Sequence, residues 1–158
     1  MSRFTRSVAA LAAIGACAAT AAVAATAGAA SAGKADSATA YVAITHSVGK
    51  NYYAAGNVSD KLLGNGAVAY VITAGTGATP GSIKLGGTVT TFTATGSLSG
   101  ADTGTEVTSA SGAVTLSGKL TLTHGTGGQK GHSYIATFTG TGKAALGPFV
   151  FHVKGTYK

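Results

Sequence analysis

From Tyr41 to Lys158 the apolar residues fall at alternate positions, and short clusters of Gly, Asn, Ser and Thr cut the alternation into pieces. A period of two belongs to strands with one face in a core and one in water, and a helix cannot satisfy it. Val114, Leu116, Leu120 and Leu122 share one face, with Thr115, Ser117, Lys119, Thr121 and Thr123 on the other. The same pattern puts Tyr134, Ala136 and Phe138 inside, then Phe149, Phe151, Val153 and Tyr157, and earlier Val68, Tyr70 and Ile72. No window here combines a helical period with capping residues. The abundance of Thr and Gly points the same way, because Thr suits a pleated surface and Gly weakens helices.

Strands are predicted near 41–48, 50–58, 61–73, 82–95, 103–108, 113–124, 133–143 and 148–157. Asn65-Gly66 reads as a two-residue hairpin turn, and Gly86-Gly87, Ser111-Gly112 and the 125–131 segment read as further breaks. Short connections favour a meander, and a meander removes its exposed edges by closing on itself. The expected fold is therefore all-β, an antiparallel eight-stranded up-and-down β-barrel, with a two-sheet β-sandwich as the alternative. Thr91-Phe92-Thr93-Ala94-Thr95-Gly96 returns as Thr137-Phe138-Thr139-Gly140-Thr141-Gly142. That echo reads either as a repeated hairpin plan or as shared composition.

Ahead of the alternating region lies a segment with the grammar of export. Arg3 and Arg6 precede an uncharged, Ala-rich run from Val8, and Ala30-Ser31-Ala32 supplies the small residues of a cleavage site. The expected organisation is a signal peptide over 1–32, a linker over 33–40 and one barrel domain over 41–158, in a secreted protein. Ala38-Thr39-Ala40 offers a second cleavage point. Ile14-Gly15-Ala16-Cys17 approximates a lipobox, and lipidation of Cys17 would anchor the domain at the cell surface. A run composed mainly of Ala gains little from entering a bilayer, so no transmembrane span is expected after signal removal. Cys17 is the only cysteine, so burial and hydrogen bonding must hold the rest of the chain without disulfides.

His124-Gly125-Thr126-Gly127-Gly128-Gln129-Lys130-Gly131-His132, followed by a strand ending Phe138-Thr139-Gly140-Thr141-Gly142, resembles a signature of the allene oxide cyclase and dirigent-like barrel superfamily. There a strand leads into a GGTG-x-aromatic-x-GA turn, and the next strand carries a Gly-rich aromatic pattern. His124, Gln129 and His132 depart from it, standing where a Gly, an aromatic and an Ala are usual. The resemblance covers residues 114–158. It implies an eight-stranded antiparallel barrel with an interior cavity, found in plant enzymes and in many secreted bacterial proteins, and it carries no catalytic residue onto this chain.

No motif demands a particular reaction. The chain has four acids: Asp36 in the expected linker, Asp60 just before Leu62, and Asp102 and Glu106 in a Ser/Gly/Thr-rich stretch that reads as solvated turn. His124 and His132 flank the glycine loop, and His46 and His152 lie on the first and last strands. Two such pairs fall short of the three or four ligands of a metal centre, so neither metal nor cofactor is expected. No G-x-S-x-G occurs, and the Gly-Thr-Gly tripeptides open no helix, so serine catalysis and phosphate cradling lack support.

Beyond Ala32 the chain holds nine lysines, four acids and no arginine. A basic exported domain is drawn to anionic cell-surface polymers, and Lys119, Lys143, Lys154 and Lys158 with His152 are the candidate contacts. Lysine lacks the planar fork that reads bases, so no specific nucleic-acid partner is expected. The expectation is a non-enzymatic binding or surface-associated barrel. The alternative is a protein that binds a small hydrophobic ligand, or a cyclase- or isomerase-like enzyme, using an interior lined by Tyr70, Phe92, Tyr134, Phe138, Phe149 and Phe151.

Overall fold

The computed structural model describes residues 32–143 and 146–158. Residues 1–31, which hold most of the expected signal peptide and Cys17, lie outside the described residues. The chain forms β1 (Lys34–Val48), β2 (Asn51–Asp60), β3 (Gly64–Thr76), β4 (Ser82–Thr93), β5 (Gly96–Thr108), β6 (Val114–Gly125), a single 3-10 turn (Gly127–Gln129), β7 (Tyr134–Gly142) and β8 (Phe149–Tyr157). Each strand pairs antiparallel with the next, and β1 pairs with β8, so the sheet closes in up-and-down order. The barrel is formed, and the sandwich alternative is set aside. No helix of the described residues is long and apolar enough to cross a membrane.

Four expectations about local structure need correction. Residues 34–40, expected as linker, form the first half of β1, where Lys34–Ala40 face Tyr157–Phe151 of β8. Their inward side chains are Asp36, Ala38 and Ala40, too small or too polar to display the alternation. A cut after Ala40 would remove this half-strand, whereas a cut after Ala32 spares it. Asn65 and Gly66 lie within β3, opposite Ser59 and Val58, and the turn falls earlier, at Lys61–Leu63. Asp60 Oδ1 closes that turn by accepting from the backbone N–H groups of Leu62 and Leu63 at 2.8 and 2.7 Å, and Gly64 follows at a φ of +79° that other residues rarely adopt. Gly86-Gly87 likewise sits inside β4, opposite Thr103 and Asp102 of β5, and β5 begins at Gly96, well before the expected start at 103.

The two echoing segments do not play the same part. Phe138 points inward and is buried, while Phe92 points outward and is 48 % exposed. On β4 the inward positions run Leu85, Gly87, Val89, Thr91, which leaves Phe92 on the outer face. Composition is shared, and the hairpin plan is not.

Interior packing rests on a pairing of aromatic rings with glycines. Phe138 stands opposite Gly118, Phe151 opposite Gly140 and Phe149 opposite Gly142. In each case the ring lies where a side chain on the glycine would project. A Cβ on Gly140 would stand 2.7 Å from Phe151 Cδ1, and one on Gly142 would stand 2.5 Å from Phe149 Cδ1. The rings also touch one another, Phe138 edge-on to Phe151 with centroids 5.6 Å apart and Phe149 tilted against Phe151 at 6.2 Å. Aromatic pairs in such geometry contribute about 0.5–1.5 kcal/mol beyond their burial. Leu98, Val89 and Val114 are fully enclosed elsewhere in the core.

Gly140→Ala should therefore overpack the interior and cost about 1–3 kcal/mol, seen as a lower urea midpoint with unchanged slope. Because the obstacle is the Phe151 ring, Gly140→Ala with Phe151→Leu should lose less than the sum of the single losses in a double-mutant cycle.

Candidate ligand site in the barrel interior

The two ends of the barrel differ. One carries the β1–β2, β3–β4, β5–β6 and β7–β8 connections. The other is crossed by the 3-10 turn and its flanks. Gly128 N–H donates to the Thr95 carbonyl at 2.7 Å and Thr126 N–H to the Ser97 carbonyl at 2.9 Å, which fastens this strap to the β4–β5 turn and β5. Its far side is held by Ser133 and Lys158, whose backbones exchange hydrogen bonds at 2.9 Å. Gln129 lies buried between, donating to Thr95 Oγ1 at 2.9 Å and accepting from the Tyr157 hydroxyl at 2.8 Å. The glycine segment singled out in the sequence thus fastens one end of the barrel shut.

Toward the other end the interior holds a cavity of about 140 Å³. Val42, Ile44, Ala54, Ile72, Leu85 and Leu116 supply aliphatic wall, and Phe138, Phe149 and Phe151 supply aromatic wall. Leu146, 64 % exposed, stands at the rim. The polar side chains lining it are Tyr52, Tyr70, Asp102 and Glu106.

Asp102 and Glu106 face inward because β5 keeps its parity from Leu98 through Gly100, Asp102 and Gly104 to Glu106. The reading of both acids as solvated turn residues is therefore overturned. Asp102 is 5 % exposed, and its Oδ1 has no hydrogen-bond partner among the described residues. Burial pushes its carboxyl up to about 6, opposed by a backbone hydrogen bond. Burial also raises Glu106, against a hydrogen bond from the Thr108 side chain. The Tyr70 phenol is raised first by burial and then by the charge of Asp102.

Tyr70 and Val153 also border a smaller void of about 30 Å³ nearer the strapped end, shared with Val89, Leu122, Tyr134 and Asp60. This is room for about one water. Asp36, Asp60 and Tyr134 gather at this end, and the Asp36 carboxylate oxygens and the Tyr134 hydroxyl have no partner among the described residues. Asp60 is raised mainly by burial, with neighbouring Asp36 adding to it. Tyr134 is raised by burial and then by both carboxylates. All four acids of the chain consequently face the interior.

Of the interior residues predicted from sequence, the structure brings Tyr70, Phe138, Phe149 and Phe151 to the large cavity and Tyr134 to the small one. Phe92 is excluded from both by its outward direction. Lys119 and Lys154 both flank Thr137 on the outer face, with His152 in the next row, opposite Thr139. Lys143 and Lys158 follow β7 and β8 at opposite ends of the barrel, so the four lysines do not share one spot. His46 stacks on Tyr53 at 4.3 Å, while His152 stands opposite Thr39, and His132 stacks on Tyr157 at 4.9 Å. Among the described residues no group of three or more His, Cys, Asp or Glu is placed to hold a metal ion. Comparison with protein-family models, with curated proteins and with solved structures finds no match to this chain.

The carboxyl environment sets the pH response of the fold. A carboxyl with a higher pKa folded than unfolded holds its proton more tightly in the fold, so stability falls as pH rises from the unfolded to the folded value. For Asp102 that window runs from 3.8 to about 6. Ionising it should cost on the order of 2 kcal/mol. The melting temperature should decline as pH rises from about 4 to about 6 at fixed salt, and Asp102→Asn should make that decline visibly shallower. A melting temperature that rises over this window would contradict the assignment.

Proposed function

We propose that this chain is a non-enzymatic binding barrel whose interior takes a small, largely apolar molecule through the end opposite the strap. The observation that carries the reading is the 140 Å³ cavity itself, walled by aliphatic and aromatic side chains with four polar side chains among them. Small barrels usually fill this space with their own side chains, and protein interiors rarely leave a void larger than a water. A dry apolar cavity of about 150 Å³ is known to be enough for benzene. The resemblance of residues 114–158 to cavity-bearing barrels supports the same use. The amino-terminal segment supports export of the chain, as a free secreted protein or one anchored through Cys17.

Neutral probes of benzene or toluene size should raise the melting temperature in proportion to the logarithm of their concentration. Ala74→Phe, which projects a ring into the cavity from β3, should abolish that shift while the barrel still melts cooperatively. No shift with any such probe at saturation would remove the interior reading.

A second reading, association with anionic cell-surface polymers, is favoured by how charge is divided. All nine lysines from Lys34 to Lys158 are exposed, while Asp36, Asp60 and Asp102 are buried and Glu106 lines the cavity. Screening shortens from about 10 Å at 0.1 M salt to about 3 Å at 1 M, so retention on anionic vesicles or teichoic-type polymer should fall steeply over that range. Lys119→Glu with Lys154→Glu should weaken it further without unfolding the barrel, since surface changes typically cost less than about 0.5 kcal/mol. Absence of retention at low salt would dismiss this partner.

A further inference from the structure

The cavity contains one group that an apolar ligand alone does not explain. Asp102 Oδ1 is enclosed without a hydrogen-bond donor, and Glu106 stands on the same face of β5, two inward positions closer to the cavity mouth. The titratable groups facing Asp102 are Glu106 on its own strand, Tyr52 from β2 and Tyr70 from β3. The lining from β1, β4, β6, β7 and β8 is apolar, and among the described residues no Lys, Arg or His borders the cavity. A buried acceptor with nothing to accept from is destabilising, and more so when it is charged. The lysines that would neutralise it all lie outside the barrel wall.

We propose that the ligand is a small organic ammonium, with an aryl or alkyl body among Phe138, Phe149 and Phe151 and its charged nitrogen on Asp102. This rests on the interior being a ligand site. An ammonium brings what the wall withholds, three N–H donors and a compensating charge, and charge-assisted hydrogen bonds are roughly twice as strong as neutral ones. Aromatic faces lining the same cavity tolerate a cation as well as an apolar ring. Two carboxyls in one low-dielectric pocket repel carboxylate or phosphate ligands. Glu106, nearer the mouth, attracts the same cation on its way in and gives selectivity a second point.

The proposal fixes opposite pH responses for charged and neutral ligands. An ammonium needs Asp102 ionised, so its affinity rises as pH climbs from about 5 to about 7.5. A neutral body of the same shape strips more water from the carboxyl and is held best when Asp102 is protonated, so its affinity falls over the same range. The test is calorimetric titration of the purified protein with benzylamine, benzyl alcohol, toluene and phenylacetate. Benzylamine should bind at least about tenfold more tightly than benzyl alcohol at about pH 7.5, and the advantage should shrink toward pH 5. Asp102→Asn should abolish the advantage, and phenylacetate should not compete. If that variant does not fold, the opposite pH trends of benzylamine and toluene on the unaltered protein decide the matter. Equal or tighter binding of the neutral probes at about pH 7.5, or an amine advantage that survives Asp102→Asn, overturns the ammonium assignment and leaves the interior site standing. Failure of all four probes to bind overturns both.

Discussion

The rings of Phe138, Phe149 and Phe151, each laid across a glycine of the adjacent strand, set the shape of the whole interior. A phenylalanine opposite any larger residue would have to point toward the barrel axis, and three of them would fill the middle. Opposite Gly118, Gly142 and Gly140 the rings take the place of a facing side chain, and the cavity lies against them. The cavity is therefore a product of the same pairing that packs β6, β7 and β8 together. The energy of aromatic burial is kept, and the volume is kept free. Glycine, normally a cost within a strand, here sets where a large neighbour lies.

The division of charge follows from closure. A closed barrel gives every strand one face that never meets water, so a polar residue with inward parity has no way out unless the strand twists or bulges. Asp36, Asp60, Asp102 and Glu106 all carry that parity, and Asp60 caps the β2–β3 turn as well. Carboxyls held there either bind protons more tightly than in water or meet a cationic partner. Among the described residues the exterior is left with lysine as its fixed charge, so the two surfaces of one sheet favour ions of opposite sign.

Most of the architecture was legible in the sequence, and the failures have a common cause. Alternation is visible only where the inward residues are large, as in β6 through β8, where Leu, Phe and Tyr mark the face. In β1 and β5 the inward positions are Asp36, Ala38, Ala40, Gly100, Asp102 and Gly104, and nothing in their size announces a core. The early parts of these strands, 34–40 and 96–102, therefore read as linker and turn, and Asp102 and Glu106 read as solvated. Extending parity from Leu98 alone would have placed Asp102 and Glu106 inside. Val107, outward and 45 % exposed, argued for the opposite face. Phe92 misled for a related reason, since aromatic character suggested burial where the parity of Leu85 and Val89 pointed outward. The Asn65-Gly66 turn was misplaced because Asp60, through its side chain, made a turn three residues earlier.

The seam of the barrel joins the first strand to the last. Lys34 stands opposite Tyr157, and the pairing runs from there to Val42 and Phe149. Every other strand pair is local in sequence and can zip as soon as its hairpin exists. This one links residues at the two extremes of the described chain. Until β8 is available, β1 and β7 are both raw edges and the inward acids and rings have no interior to occupy. A growing chain therefore carries an open sheet until β8 has emerged. Closure then comes as one late step, and the slow formation of such distant contacts sets the pace of folding.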